Sequence, residues 1–438
     1  MTRILIVGAG PAGIRAAETL VTAGLHPIVV DEGVRAGGQI YRRPPNGFLR
    51  PPEKLYGSEA GKARSLHATF DRMVAGAQVD YLPETSVFAL RDGAAHATGG
   101  RIPYDRLILA PGATDRVVPV SGWQRAGVYS LGAAQIALKA QGVALGRQIV
   151  LAGSGPLLTL VAAQLVAAGA GVAAVLDTAT LRDQMVGGVR MALARPWVTA
   201  RGARMRASLG RLYHAGVRLD QIKEDAVHWT AHGKAYATEC DAVALGWHLR
   251  AETQLADLAG ARFAWCPAWA QWLPDTDAMG RAGPGLYLAG DGVRILGADG
   301  AEIAGRLAAS ACLNDLGIAT RGTVPLLRRA RRLNRFANGI ARAFPWPADQ
   351  LNALPDTAIL CRCENVTAGE VRGIAALAET NRVKSVSRIG MGRCQGRFCQ
   401  LAAAALIAKH AGLPPQAAGR LRGQPPVRPL TIESLLAD

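Results

Sequence analysis

A chain of 438 residues is too long for one small core and predicts two to four domains. Half of it is hydrophobic and 51 residues are glycine, which suits an α/β protein with many tight strand-to-helix turns. The net charge of +17 points to an anionic partner, an acidic subunit or a nucleotide; aromatics at 5%, not interleaved with the arginine run LLRRARRLNRF, argue against a base-stacking nucleic-acid surface.

The N-terminus begins MTRILIVGAG, without a charged-then-apolar leader, and predicts a cytoplasmic protein. Residues 3–7 form a short β-branched run ending in GAGPAG, where Gly8, Gly10 and Gly13 make G-x-G-x-x-G. A helix (IRAAETLVTAG) and a second strand (HPIVVDE) follow, the strand ending in Asp31. Gly8 serves the tight turn, Gly10 the close approach of a pyrophosphate, and Gly13 the packing of helix on strand; Asp31 stands where a carboxylate accepts from a ribose. The order strand, motif, helix, strand, acid is the dinucleotide-binding pattern. Three later stretches extend it: AGGQIYRR, with Gly37, Gly38 and Gln39 near phosphates; YDRLILAPGA, a buried strand and turn; and GLYLAGDG, a strand ending in Gly290 and Asp291, whose acid can bond a ribityl chain.

Between these stretches lies a second unit. Its residues 149–176 carry no charge, long enough to suggest a membrane span, but GSGP and GAG break them into strand, turn, helix and strand. Gly153, Gly155 and the terminal Asp177 repeat the nucleotide pattern, with Leu158 where the third glycine belongs. A leucine there should push the helix off the strand and loosen pyrophosphate binding. Asp177 disfavours a 2′-phosphate, and whether NADH occupies the site is left open. No C-x-x-C pair occurs in this insert, which excludes dithiol chemistry there. Cys240, Cys266 and Cys312 are isolated and read as small hydrophobes. His228 and His232 fall on strand and turn and form no metal set. The helical, strongly basic segment RMALARPWVTARGARMRASLGRLYHAG is expected to meet another subunit.

Four of the seven cysteines sit near the C-terminus as Cys361-x-Cys363 and Cys394-x-x-x-x-Cys399. The C-x-x-C knuckles usual for zinc are absent, and a reducing compartment disfavours disulfides. Thiolates on both sides of a short helical unit suit an iron–sulfur cluster. Thr367 and Glu370 form a capping box opening the helix GEVRGIAALAE, and Cys399 begins the helix CQLAAAALIAKHAG. Arg362, Arg393 and Arg397 flank the ligands, and their charge would offset the cluster and raise its potential.

In this order the motifs resemble an α/β two-dinucleotide-domain flavoprotein of the glutathione- and thioredoxin-reductase kind. Pro111 stands where the middle motif commonly has threonine, and the turn survives. The C-terminal part resembles the α-rich [2Fe–2S] domain of bacterioferritin-associated ferredoxin type. The whole, over roughly residues 3–412, resembles the FAD-binding A or α subunit of heteromeric opine oxidases, hydrogen cyanide synthase and D-hydroxyproline dehydrogenase. The resemblance implies FAD contacts at Gly8, Gly10, Pro11, Gly13, Asp31, Glu32, Gly38, Gln39, Arg42, Val87, Ala110, Gly112, Gly290 and Asp291. It implies a [2Fe–2S] cluster on Cys361, Cys363, Cys394 and Cys399, and FMN at a subunit interface. It further implies an external electron acceptor, a small ferredoxin-like γ subunit, and a substrate-oxidising flavoprotein β subunit. Substrate oxidation at a CH–NH group would belong to the partner, consistent with the lack of an acid–base pair or carboxylate clamp here. Two other readings stay open: a self-sufficient NADH:acceptor oxidoreductase, and an assembly subunit that holds a nucleotide without redox turnover. The expected limits are an FAD domain at 1–118 and 241–325, an insert at 119–240, a basic helix and proline-containing linker at 326–355, a cluster domain at 356–425 and a short tail, TIESLLAD.

Overall fold

The computed structural model describes residues 2–435 except Asn46 and Leu49, so the last three residues of the expected tail lie outside it. Ile4–Val7 is buried throughout and lies between two parallel strands, Ile28–Val30 and Arg106–Leu109. Helices cover the Ile4 and Ile6 face and a small antiparallel sheet, with Val87, Ala95 and Ala97, covers the Leu5 and Val7 face; a strand covered on both faces loses the polar alternation of a half-solvated sheet, which is why this run is continuously apolar. The full sheet runs Arg281–Gly283, Leu286–Leu288, Arg106–Leu109, Ile4–Val7, Ile28–Val30, Asp80–Leu82. The chain thus leaves this sheet after Leu109 and returns near residue 281. The helix Gly297–Asp315 then packs against Pro11–Thr22 so closely that a Cβ on Gly305 would lie 2.0 Å from the Ala12 carbonyl oxygen.

The excursion builds a second, all-parallel sheet: Tyr213–Ala215, Val172–Asp177, Ile149–Ser154, Ala242–Trp247, Val128–Ser130. The uncharged stretch 149–176 is strand, helix (Pro156–Ala167) and strand, as expected. Among the described residues no helix is long and apolar enough to cross a membrane. One boundary moves. Ala242–Trp247, which a limit at residue 240 assigns to the first unit, pairs with Ile149–Ser154 along its whole length, so the insert's sheet extends to Trp247. His228 and His232 lie in the hairpin Ala226–Ala231 and Lys234–Glu239, on strand and turn.

The arginine run belongs to the helix Thr323–Ala343, which crosses the insert helix Leu181–Ala194 at two glycines. A Cβ on Gly187 would lie 2.3 Å from the Ala343 amide nitrogen, and one on Gly339 would lie 2.8 Å from Met191 Cγ. The expected linker is not free chain: it contains the helix Ala348–Asn352, and Leu351 and Leu354 are buried in one core with Trp123 and Leu219 of the insert. That core continues into the C-terminal part through Leu360, Ile389 and Leu406, and Trp123 Nε1 donates to the Ile359 carbonyl at 2.6 Å. There the capping box on Thr367 and Glu370 opens the helix Ala368–Gly373. This helix is shorter than expected, because residues 375–377 tighten into a 3-10 turn and Ala378 adopts a left-handed φ of 58°. Helices Thr380–Ser387 and Gln400–His410 complete the unit.

Candidate functional site

Four loops converge at the C-terminal edge of the first sheet. The Gly8 amide donates to the Val30 carbonyl and the Gly37 amide to the Ala9 carbonyl, both at 2.8 Å. Gly8 has φ 105°, and a Cβ there would meet the Ala110 carbonyl oxygen at 2.3 Å, so only glycine fits. A Cβ on Gly13 would sit 1.8 Å from the Gly8 carbonyl oxygen, which is the close helix-to-strand packing the motif predicts. Across the cradle, a Cβ on Gly38 would lie 2.9 Å from Gly10 Cα, and one on Gly290 would lie 2.9 Å from Ala12 Cβ. The helix starts at Pro11, and no side chain caps it. A helix N-terminus opening on bare glycine backbone is an anion site.

Asp31 accepts from the Ala9 amide at 2.5 Å and from the Gly33 amide at 2.7 Å. Burial raises its carboxyl above the usual range, and those two amides oppose the shift. Asp291 accepts from the Leu296 amide at 3.0 Å, and burial pushes it up to about 6. Gln39 accepts from Arg42 at 3.0 Å, Glu32 is ion-paired with Arg428, and Gly112 has open space where a Cβ would stand. Val87 instead lies in the core with Leu5, Val7 and Val30.

The second glycine loop is closed. Asp177 is fully buried. Its Oδ1 accepts from Ser154 Oγ and the Ala179 amide, both at 2.8 Å; its Oδ2 accepts from Gln184 Nε2 at 3.3 Å and from the Tyr213 hydroxyl. Burial pushes its carboxyl up to about 6 against these donors. The loop is also filled from above: a Cβ on Gly155 would meet His248 Nδ1 at 2.8 Å, while His248 Nε2 bonds the Phe344 carbonyl at 2.7 Å. Leu158 does not stand off from the strand; it is buried in a core with Leu131, Leu151 and Val161.

The four C-terminal cysteines are gathered together: Cys361 is bonded to Cys399 and Cys363 to Cys394, and Cys399 is near enough to feel the charge of the other three. The hydrogen bond from Cys399 lowers Cys361 to about 6, opposed by burial and aided by the amides of Gly390, Glu364 and Cys363. Cys399 is pushed well up by the same bond and by burial. Burial raises Cys363, and the Cys394 amide opposes it. Among the described residues, no group of three or more His, Cys, Asp and Glu is set to hold a metal ion. Two of the flanking arginines have other partners, and Arg397 also donates to the Cys394 carbonyl at 3.2 Å. Arg362 lies over Trp123 and Phe398, at 5.2 and 5.0 Å from the ring centroids, and Arg397 pairs with Glu252 at 2.7 Å. Arg393 is exposed and lines a groove of about 640 Å3 with Arg91, His96 and Arg428.

Sequence reasoning missed Arg250, Glu252 and Gln254, which tie the C-terminal unit to the first. The signal was present as two charges in the otherwise apolar GWHLRAE, and both are 2% exposed.

The pyridine nucleotide-disulphide oxidoreductase family model matches residues 2–305. The opine oxidase A subunit of Rhizobium meliloti is 36% identical over 99% of this chain and 86% of that protein. The HcnB subunit of hydrogen cyanide synthase from Pseudomonas protegens is 29% identical over 90% of this chain and 89% of its own length. Among solved structures, L-proline dehydrogenase from P. horikoshii superposes with a TM-score of 0.72 at 17% identity, over 99% of this chain and 80% of that one, a likeness of fold. The two large sheets are therefore the cores of the two dinucleotide-binding units of an FAD-dependent, Rossmann-type oxidoreductase fold. The chain belongs to the pyridine nucleotide-disulphide oxidoreductase family, in the branch that holds the A subunits of opine oxidase.

Proposed function

We propose that this chain is the electron-transferring subunit of a heteromeric dehydrogenase whose partner oxidises a CH–NH group of an amino acid, proline derivative or opine. The observation that carries the reading is the contrast between an open first glycine cradle and a second one closed by the protein's own donors. A chain whose second loop is closed in this way receives its electrons from elsewhere. The relatives' names supply the setting, since those of opine oxidase and of hydrogen cyanide synthase are both named as subunits.

The residues present fit FAD. Gly10 and Gly38 would let backbone approach its pyrophosphate at the uncapped helix start, Asp31 would orient a ribose, and Asp291 would take a ribityl hydroxyl. They also fit a [2Fe–2S] cluster, which takes four thiolates: the four cysteines face one another, and backbone amides of Cys363, Glu364, Gly390 and Cys394 are aimed at sulfur. When bound, FAD handles electron pairs and the cluster passes single electrons. Arg91, His96 and Arg393 in the groove beside Cys394 would receive an anionic external acceptor.

We assign the partner surface to the insert. On the helix Leu181–Ala194, Leu181, Met185, Val189 and Leu193 form a ridge at four-residue spacing, 54, 66, 63 and 82% exposed, and Trp197 on the next helix, Pro196–Ser208, is 86% exposed. Isolated apolar side chains on a surface need no explanation, but an aligned ridge of four marks an interaction site. Arg182, Arg190 and Arg204 lie on the same two helices and are exposed, which favours an acidic rim on the partner.

The test is an anaerobic titration of the purified chain with NADH, followed by its visible spectrum. The chain is expected to be coloured by flavin and iron–sulfur absorption and to stay unbleached. Stoichiometric bleaching by NADH would overturn the relay reading in favour of a self-sufficient oxidoreductase, and a colourless chain would favour an assembly role.

A further inference from the structure

The strand Leu249–Ala251 pairs antiparallel with Ala113–Asp115, directly after the turn at Gly112, and the Glu252 amide donates to the Gly112 carbonyl at 3.0 Å. One edge of this segment therefore belongs to the FAD-type cradle. Its side chains reach the other way, onto the loop between Cys394 and Cys399. Gln254 Nε2 donates to the Gln395 carbonyl at 2.7 Å. Arg250 Nη1 donates to the Arg397 carbonyl at 2.7 Å and to that of Gly396 at 3.5 Å. Glu252 accepts from Arg397 Nε at 2.7 Å, and Arg397 Nη1 donates to the Cys394 carbonyl at 3.2 Å. Three successive carbonyls, 395 to 397, are thus held from one segment.

Gln254 shows that a neutral donor is enough to anchor such a carbonyl, yet Arg250 buries a full charge for the same purpose. Desolvating an ion is costly unless a counter-charge compensates it. Arg397 pairs with Glu252, and Arg428 with Glu32 and Glu252; the buried Arg116 nearby has no ion pair either, but lies over the Trp346 ring at 3.6 Å and bonds the Trp269 and Ala270 carbonyls, away from the cysteines. Arg250 is 2% exposed, and among the described residues its hydrogen bonds go to carbonyls and it makes no ion pair. Those carbonyls lie in the short loop between Cys394 and Cys399, so the side chain delivers its charge to the segment that carries two of the four cysteines.

We propose that Arg250 is a positioning residue for an anionic centre on the four cysteines, holding the 396–397 turn and supplying the counter-charge that raises that centre's reduction potential. This rests on the cluster reading above. Reduction adds one electron and makes or breaks no bond, so a fixed positive charge nearby favours the more negative, reduced form.

The test uses the full chain, anaerobically reconstituted, with iron and acid-labile sulfide assayed and the cluster's midpoint potential read by electron paramagnetic resonance. The flavin's midpoint in the same sample serves as reference. R250Q keeps a donor and removes the charge; R250K keeps the charge; Q254L removes a neutral anchor of the same loop. In R250Q the equilibrium constant for one-electron reduction is expected to fall about tenfold, a shift of about 59 mV. R250K and Q254L are expected to stay near wild type, and the flavin's midpoint should not move in any of them. An unmoved potential in R250Q, or an equal shift in R250Q and Q254L, overturns the role of Arg250 while leaving the cluster in place. If R250Q cannot hold the centre, R250K decides: failure to hold it at near wild-type potential overturns the proposal. Wild-type chain that takes up no iron and sulfide sinks the cluster reading itself, and this role with it.

Discussion

The two glycine loops of this chain start from the same plan and end in opposite states. Each follows a buried parallel strand, each opens a helix with proline at its first position, and each is answered by an aspartate at the end of the next strand. Asp31 is partly exposed, and its two recorded donors are backbone amides that shape the loop. Asp177 is fully buried and takes four donors, two on each oxygen. A carboxylate has about four lone-pair sites, so Asp177 has none left for a ribose. A glycine fingerprint therefore describes a backbone geometry. Whether a nucleotide can enter depends on whether the acid's acceptors are still open.

The sharpest way to break this comparison is to fill each loop. Gly10 has an ordinary φ of −79°, and its added Cβ would meet nothing closer than 3.7 Å, so G10V should fold. Its side chain would still occupy the pyrophosphate approach, and the purified variant is expected to be essentially flavin-free by absorbance, with the melting temperature of flavin-stripped wild type. G155V should do the reverse, because Gly155 has φ 112° and faces His248: bound flavin stays and stability falls. Loss of flavin in G155V with no change in G10V would invert the assignment.

Next in size is the surface that only the second unit carries. A double change of Leu193 and Trp197 to Asp puts two charges on that surface. It should weaken association with the substrate-oxidising partner at least about a hundredfold, since large exposed anchors dominate binding energy. Co-purification from a shared expression reads this directly, with flavin content as the control for folding. Undiminished association would move the interface elsewhere.

A smaller effect is expected from D177N. At neutral pH the asparagine keeps the shape but turns an amide N–H2 toward groups that themselves donate, leaving buried donors unpaired. That should cost about 2–3 kcal/mol in denaturant unfolding, with flavin and NADH behaviour unchanged. A stable D177N, or one that gains NADH binding, would show that the carboxylate is not what closes the loop.

Much of this could be read from residue order. The continuously apolar runs announced strands covered on both faces, and the 149–176 stretch resolved into strand, helix and strand because its glycines interrupt it. The capping box at Thr367 and Glu370 is a local contact three residues long and was legible for that reason. The closure of Asp177 was not, because Tyr213 reaches it from 36 residues away. The strand Ala242–Trp247 was ambiguous for a different reason: an apolar run fits the centre of either sheet, and pairing with Ile149–Ser154 is decided only in three dimensions. The subunit contact expected for the basic segment from Arg190 rests on its charge; the apolar side chains from Met185 to Leu193 have the spacing of a core-facing stripe, and only their exposure shows that they face outward. Arg250 and Glu252 looked like ordinary edge charges until their burial was known.

The finest discrimination comes from pH, where two buried groups of the second loop have opposite signs. Burial pushes His248 down to about 4; the bond to the Phe344 carbonyl opposes this shift, and the charge of nearby Arg116 adds to it. The folded state then binds fewer protons than the unfolded one, so this contribution is complete above about 6.5 and is lost as pH falls toward 4. Burial raises Asp177 to about 6. Its folded state binds more protons, so its contribution is complete below about 3.9 and is lost as pH rises through 6. Acidification from 6.5 to 4 therefore removes one term while restoring the other, each on the order of 2 kcal/mol, and in the wild type they largely offset. H248Q keeps a donor for Phe344 and removes the titration, so relative to wild type it should gain stability steadily as pH drops through this window. D177N removes the opposite term and should lose stability relative to wild type over the same range. Unfolding free energies of the three proteins between pH 7 and 4 test this as differences, in which the other titrating groups cancel. Two flat difference curves would mean that neither group is held as deeply as the closed loop requires, and the contrast with the first cradle would then rest on the hydrogen bonds to Asp177 alone.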